Sequence, residues 1–210
     1  MIEFLEDVGE MIFGNKRMDA LRHFANSKKF AMKRRVKAEL LPLDVQYMQV
    51  FDGKKAKRIR GFLYKRDLRL NALTQIFDYH YDSNLGTKIT TIFLMENKGL
   101  NMPYFCINPK SHFSKLGNIF RSGEWSDVDK VFDENFEVVS EDINFMNIMI
   151  TIQFAEVMTE LLGFTVEGKG DYLVLYKKNT KIDIVDMDNV YDAGVELLDI
   201  ILNDQSNEMV

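Results

Sequence analysis

The sequence predicts an α+β fold: mainly antiparallel sheet, with amphipathic helices packed on one face and an N-terminal helical segment. Three observations predict it. Apolar and polar residues alternate over several short stretches between Val45 and Ile107, which is the period of a strand with one buried face. Apolar stripes at helical spacing occupy both ends of the chain. The 210 residues, 46% hydrophobic and 28% charged, carry no repeat and no long linker, so one domain with a proper core accounts for them.

Residues 1–13 place Met1, Phe4, Leu5, Val8, Met11 and Ile12 at helical spacing, with Glu3, Glu6, Asp7 and Glu10 on the other side. That is an amphipathic helix, ended by Gly14 and Asn15. A second follows through Met18, Leu21, Phe24 and Ala25. The acidic face suits docking on the core or on a partner better than an anionic membrane, where interfacial helices use Lys and Arg.

From Val45 the period shortens toward two. Val45 to Phe51 and Ala56 to Tyr64 read as a hairpin around Asp52-Gly53, a dipeptide that supplies the positive φ of tight turns. Leu70 to Tyr81 and Lys88 to Met95 read as strands around a turn at 82–86, and Tyr104 to Ile107 as a short strand bounded by Pro103 and Pro109. Beyond a loop at 117–123, Phe136 to Val139 is another strand. Helices then start at Ser140-Glu141-Asp142 and at Thr151, the second closed by Gly163. Phe164 to Glu167 and Tyr172 to Tyr176 form a hairpin around Gly168-Lys169-Gly170, and a last helix spans about 188–202. The domain plan is an N-terminal helical segment at 1–30, one α+β domain at 31–202 and a flexible tail at 203–210. Phe77, Tyr79, Ile92, Phe105, Leu173 and Leu175 are the expected core of the sheet, with Asp78 and His80 turned to the opposite side by strand alternation.

The net charge of −5 conceals a polarity along the chain. Residues 1–69 carry 17 Lys and Arg against 9 Asp and Glu, whereas residues 124–210 carry 5 against 20. The two blocks can pair within the fold, pair between subunits, or leave a positive face for an anionic partner. Lys33, Arg34, Arg35, Lys54, Lys55, Lys57, Arg58 and Arg60 are the candidate anion-binding residues. Phe24, Phe30, Phe51, Phe62 and Tyr64 lie among the cations, and aromatic faces beside cations are what a single-stranded nucleic acid uses. The acidic pI of 5.3 argues against a dedicated nucleic-acid binder.

Motifs for chemistry are sparse. There is no Walker loop or dinucleotide fingerprint, and Gly168 and Gly170 belong to a strand-turn-strand setting. His23, His80 and His112 have no second ligand at metal spacing, and the acidic runs lack the glycine and terminal glutamate of a calcium loop, so the sequence calls for no metal and no cofactor. Cys106 in an apolar strand reads as a buried, inert thiol. With one cysteine no intramolecular disulfide can form, which, with no apolar run long enough to span a bilayer, points to the cytoplasm.

Several segments resemble a family of uncharacterised bacterial proteins built as a single domain of unknown function. They are Ile76-Phe77-Asp78-Tyr79-His80-Tyr81, Met102-Pro103-Tyr104-Phe105 leading to Asn108-Pro109, the Phe136 to Val139 strand with its acidic helix start, and Phe164 to Tyr176. These pieces appear in family order over about residues 17–202. The resemblance implies a fold and no catalytic residues. Some members carry membrane-spanning segments ahead of the domain; residues 1–13 here have the wrong length and sign for one.

The leading functional expectation is a non-catalytic cytoplasmic interaction or regulatory domain acting through protein-protein contacts or self-association. An anion or nucleic-acid binding module using the basic third is the alternative. An enzyme assembled around Asp78, His80, Cys106 and His112, with Asp82 beside them, is the third. No small-molecule ligand is indicated.

Overall fold

The computed structural model of the protein describes residues 15–52, 55–110 and 130–208. The expected helix at 1–13, the turn residue Gly53, Lys54, His112 and the loop at 117–123 lie outside them, as do the side chains of Lys55 and Lys57. In chain order the elements are α1 (Asn15–Lys28), β1 (Ala31–Val36), a short 3-10 turn (Ala38–Leu40), α2 (Leu43–Gln46), β2 (Lys55–Asp67), β3 (Ala72–Ser83), β4 (Gly86–Glu96) and β5 (Met102–Pro109). They continue with α3 (Lys130–Asn135), β6 (Phe136–Ser140), α4 (Ile143–Met149), α5 (Ile152–Glu160), β7 (Thr165–Gly170), β8 (Tyr172–Tyr176) and α6 (Ile184–Glu208).

Eight strands form one sheet in the order β1-β2-β3-β4-β8-β7-β5-β6, with every pairing antiparallel. This is the expected α+β architecture, with α1 and α3 to α6 on one face and the short α2 on the other. Local chemistry fixes the element ends. Lys29 takes φ 60 after α1 while the Phe30 N–H returns to the Ala25 carbonyl at 2.8 Å, a Schellman-type close. The Asp142 carboxylate accepts the N–H groups of Asn144 and Phe145 at the start of α4, and Thr151 Oγ1 accepts that of Phe154 at the start of α5. Helix α6 continues through Glu208 rather than stopping at Leu202.

Both faces of the sheet are buried. Ile76, Phe93, Phe105, Val166, Leu173 and Leu175 face the helices, together with Leu21 and Phe24 of α1 and Met187, Leu197 and Leu198 of α6. Phe77, Tyr79, Ile92, Leu94, Val174 and Tyr176 form the second face, covered by Leu41, Val45, Met48, Val50 and Phe51. All six expected core residues are therefore buried, but they divide between the two faces. Alternation holds along β3 with its sense reversed: Asp78 turns toward the helices, and Phe77 and Tyr79 turn away from them.

The cover of the second face corrects the expected strand over Val45–Phe51. Pro42, at φ −55, leads into α2, and Val45, Met48 and Phe51 are buried at intervals of three while Tyr47 and Gln49 are exposed. Successive turns join them, Met48 N–H to Val45 O and Phe51 N–H to Met48 O. An interval of three across a segment this short also looks like alternation, because Val45 and Phe51 satisfy both periods. Strand β5 likewise takes in both prolines expected to bound it. Pro103 falls at a register irregularity opposite β7, and Pro109 ends the strand opposite Phe136.

Gly168 is not a turn residue. The β7–β8 turn is Gly170-Asp171, with Gly170 at φ 55, and Gly168 lies within β7 opposite Phe105 of β5. A Cβ there would stand 2.1 Å from the buried Phe105 ring. Gly168→Ala is expected to destabilise the protein by about 1–3 kcal/mol through overpacking, read as a lowered urea midpoint with unchanged slope. An unshifted midpoint would mean that the ring moves aside freely.

Candidate functional site

Two residues of the basic block, Lys28 and Arg69, pair with the acidic C-terminal part within the same chain. Lys28 Nζ stands 3.1 Å from Asp188 and 3.6 Å from Asp192 of α6, and Arg69 bonds Asp199 at 2.7 Å. Lys65 Nζ reaches the Tyr191 hydroxyl at 3.3 Å and lies over the Phe30 and Tyr191 rings. The strongest pairing involves a residue that sequence reasoning passed over. From the first turn of α1, Arg17 clamps Asp78 with Nε to Oδ2 and Nη2 to Oδ1, both at 2.9 Å, and donates Nη1 to the Ile182 carbonyl at 2.7 Å. Thr91 Oγ1 completes the set, 2.7 Å from Asp78 Oδ1. The two charged side chains are almost wholly buried, and no local pattern links residues 61 apart.

The β1 end of the sheet is different. Among the described residues, strand β1 pairs with β2 alone and forms one edge of the sheet. Lys33, Arg34 and Arg35 are exposed on it, and none of the three, nor Lys37 or Arg58, forms a salt bridge with a described acid. Arg35 lies opposite Arg60, Arg60 opposite Asp78, and Arg58 opposite His80. An open cleft of about 600 Å³ forms there, its described lining being Arg35, Lys37, Arg58 and Arg60, the apolar Val36, Ala38 and Ile59, and Glu39. Of the eight candidate anion-binding residues, the structure thus gathers Arg35, Arg58 and Arg60 into a cleft and places Lys33 and Arg34 beside it on the same strand. Lys37, outside that set of eight, joins them. The electrostatic consequence appears at His80, whose pKa is pushed down to about 4 by burial and by Arg60, Arg58 and Lys181, with Asp78 opposing them.

A buried carboxylate marks the second face. Glu167 of β7 is fully buried and accepts the Gln49 N–H at 3.1 Å and the Tyr176 hydroxyl at 3.1 Å, with Cys106 Sγ at 3.6 Å. Burial pushes its pKa up to about 7 against the opposing pull of these donors. Burial together with Glu167 also drives the Cys106 thiol and the Tyr176 hydroxyl upward, so both remain protonated donors. The cluster fastens the 47–52 segment to the sheet. Its sequence signal was an acid inside the apolar strand Thr165–Gly170, directly between Val166 and Gly168.

The structure does not assemble the enzyme set. Asp78 and His80 lie on β3 and Asp78 is consumed by Arg17, whereas Cys106 lies on β5 facing the other side. Strands β4, β8 and β7 separate them, about 19 Å at roughly 4.8 Å per strand. Asp82 at the end of β3 accepts the Thr87 hydroxyl. Among the described residues no group of His, Cys, Asp and Glu could hold a metal ion, and no helix is long and apolar enough to cross a membrane.

One solved structure shares the fold. It is the crystal structure of the mycobacterial trehalose monomycolate transport factor A, similar at a TM-score of 0.60 over 88% of this chain and 93% of that one, with 11% identity. At that identity the likeness is one of architecture. No protein-family model and no curated protein matches the chain.

Proposed function

We propose that the protein is a non-catalytic cytoplasmic interaction module that takes an acidic, extended protein segment along β1. The carrying observation is the edge strand itself, with exposed Lys33, Arg34 and Arg35 in succession beside the cationic cleft. An edge strand offers backbone donors and acceptors to an added strand, and its cations select an acidic one while repelling a second copy of themselves. The architecture shared with a protein named as a transport factor supports binding over catalysis. The single cysteine, buried and protonated, suits a reducing compartment.

A single-stranded nucleic acid would use the same cations, but four of the five aromatics interspersed with them, Phe24, Phe30, Phe51 and Phe62, are buried in the two cores. Of those five, stacking would have only the Tyr64 ring, which already lies under Lys33 Nζ at 5.4 Å. The protein reading is therefore preferred.

Fluorescence anisotropy decides between them. A labelled peptide of alternating Glu and Val is expected to bind at low salt and to lose at least tenfold in affinity to the R34E/R35E variant. An oligothymidylate bound more tightly than the peptide, with steep salt dependence, would favour the nucleic-acid reading. Neither probe binding would remove both.

A further inference from the structure

We propose that the acidic N-terminal segment, residues 1–14, docks on the cationic cleft between β1 and β2 of its own chain. The inference rests on the reading of that face as a surface for acidic chains and supplies its internal competitor. It starts from where the segment joins the fold. Asn15 opens α1, and two residues on, Arg17 grips Asp78 of β3. Asp78 is the cross-strand neighbour of Arg60, and Arg60 that of Arg35, so the entry point and the cleft share the same rungs of the sheet.

Reach is sufficient. From β3 to β1 is two strand spacings, about 10 Å. Fourteen residues span about 21 Å as a helix and up to about 50 Å extended. Chemistry matches on both sides. Residues 1–14 carry Glu3, Glu6, Asp7 and Glu10 and no Lys or Arg, with Met1, Phe4, Leu5, Val8, Met11 and Ile12 at helical spacing. The cleft offers Arg35, Lys37 and Arg58, with Val36 and Ile59 packed into the core behind them, and its volume of about 600 Å³ falls in the range of about 300–1,000 Å³ that binding clefts occupy. An acidic segment thus finds cations for its carboxylates. Burial first, and then Arg60 and Arg58, lower the His80 pKa, and the same arginines give a carboxylate brought there a favourable field.

Zero-length carbodiimide coupling of the full chain at low salt, followed by peptide mapping, tests the contact directly, because it joins only carboxylates already touching lysines. The expected result is coupling of Glu3, Glu6, Asp7 or Glu10 to Lys37 in monomeric protein, reduced at least fivefold in R35E/R58E and in 0.5 M salt. Coupling to remote lysines such as Lys169 and Lys178 at equal yield, coupling only in covalent dimers, or no coupling to Lys37 would each overturn it. A second measurement uses the E3Q/E6Q/D7N/E10Q chain, which should bind the Glu-Val peptide at least tenfold more tightly than the wild type. If Lys37 couples but neither chain binds the peptide, the docking stands and the functional reading fails. If both chains bind the peptide equally and Lys37 does not couple, the docking fails and the functional reading stands.

Discussion

Glu167→Gln is expected to stabilise the protein above pH 7, by up to about 3 kcal/mol, and to change the shape of its stability against pH. The sign follows from the raised pKa. Unfolded, the Glu167 carboxyl ionises near 4.5; folded, it does so near 7. Its burial is free below the first value, becomes costly as pH rises through the interval, and costs a constant amount beyond, about 1.36 kcal/mol for each pH unit crossed. His80 acts in the other direction. Its pKa falls from 6.5 to about 4 on folding, so its burial is free above 6.5 and becomes costly as pH falls toward 4. Between about 4.5 and 6.5 the two slopes oppose each other, and the wild-type profile should fall more gently there than that of a chain without His80. Removing either group exposes the other: Glu167→Gln should become steadily more stable from pH 4.5 to 6.5, and His80→Asn steadily less stable from pH 4.5 to 7. The half-buried imidazole is screened by solvent, so its slope should be the shallower one. Urea midpoints at half-unit steps of pH measure both. Parallel profiles for Glu167→Gln and the wild type would show that the carboxyl does not titrate in this range.

Asp78→Ala is expected to cost about 3–5 kcal/mol, because it strands the nearly buried Arg17 guanidinium, whose Nε and Nη2 then lose their acceptor. The loss should extend to the start of α6, since Thr91 Oγ1 also accepts the Ile182 N–H and Arg17 holds the Ile182 carbonyl. Arg17→Met combined with Asp78→Leu should recover most of the loss, because the pair's value lies largely in each charge answering the other. The exposed pair Arg69–Asp199 provides the contrast, with Asp199→Ala costing at most about 1 kcal/mol. Urea unfolding of the three variants checks the ranking. A cost below about 1 kcal/mol for Asp78→Ala would show that Arg17 swings out to water.

The elements that were legible in the sequence are those written by neighbours. Strands β3 and β4, the β7–β8 hairpin and the caps at Asp142 and Thr151 all follow from alternation or from side chains bonding backbone a few residues away. Strand β1 escaped notice because its exposed Lys33-Arg34-Arg35 run has no alternation, as an edge strand needs none. The Val45–Phe51 cover escaped because two periods fit the same few residues. At the cleft, the sequence offered residue types and the topology chose among them. Register put Arg35, Arg60 and Asp78 in one row, while Arg17, 61 residues away from its partner, had no local mark. The charge polarity was legible as a number, but that Lys28 and Arg69 are answered by α6 while Arg35 and Lys37 find no described acid depends on where the helix lies.

The strand order has a consequence for how the chain comes into being. Strands β4 and β5 are consecutive in sequence, yet β8 and β7 stand between them. During synthesis, β1–β4 and β5–β6 can form only as two separate pieces, each with a raw inner edge, until residues 165–176 emerge and close the gap. The β4 edge awaiting its neighbour runs through Ile92, Phe93, Leu94 and Met95, all fully buried once the sheet is whole. Chains terminated before Tyr176 therefore expose an apolar edge of the kind that pairs with other chains, and are expected to aggregate, whereas the completed hairpin acts as the keystone that joins the halves.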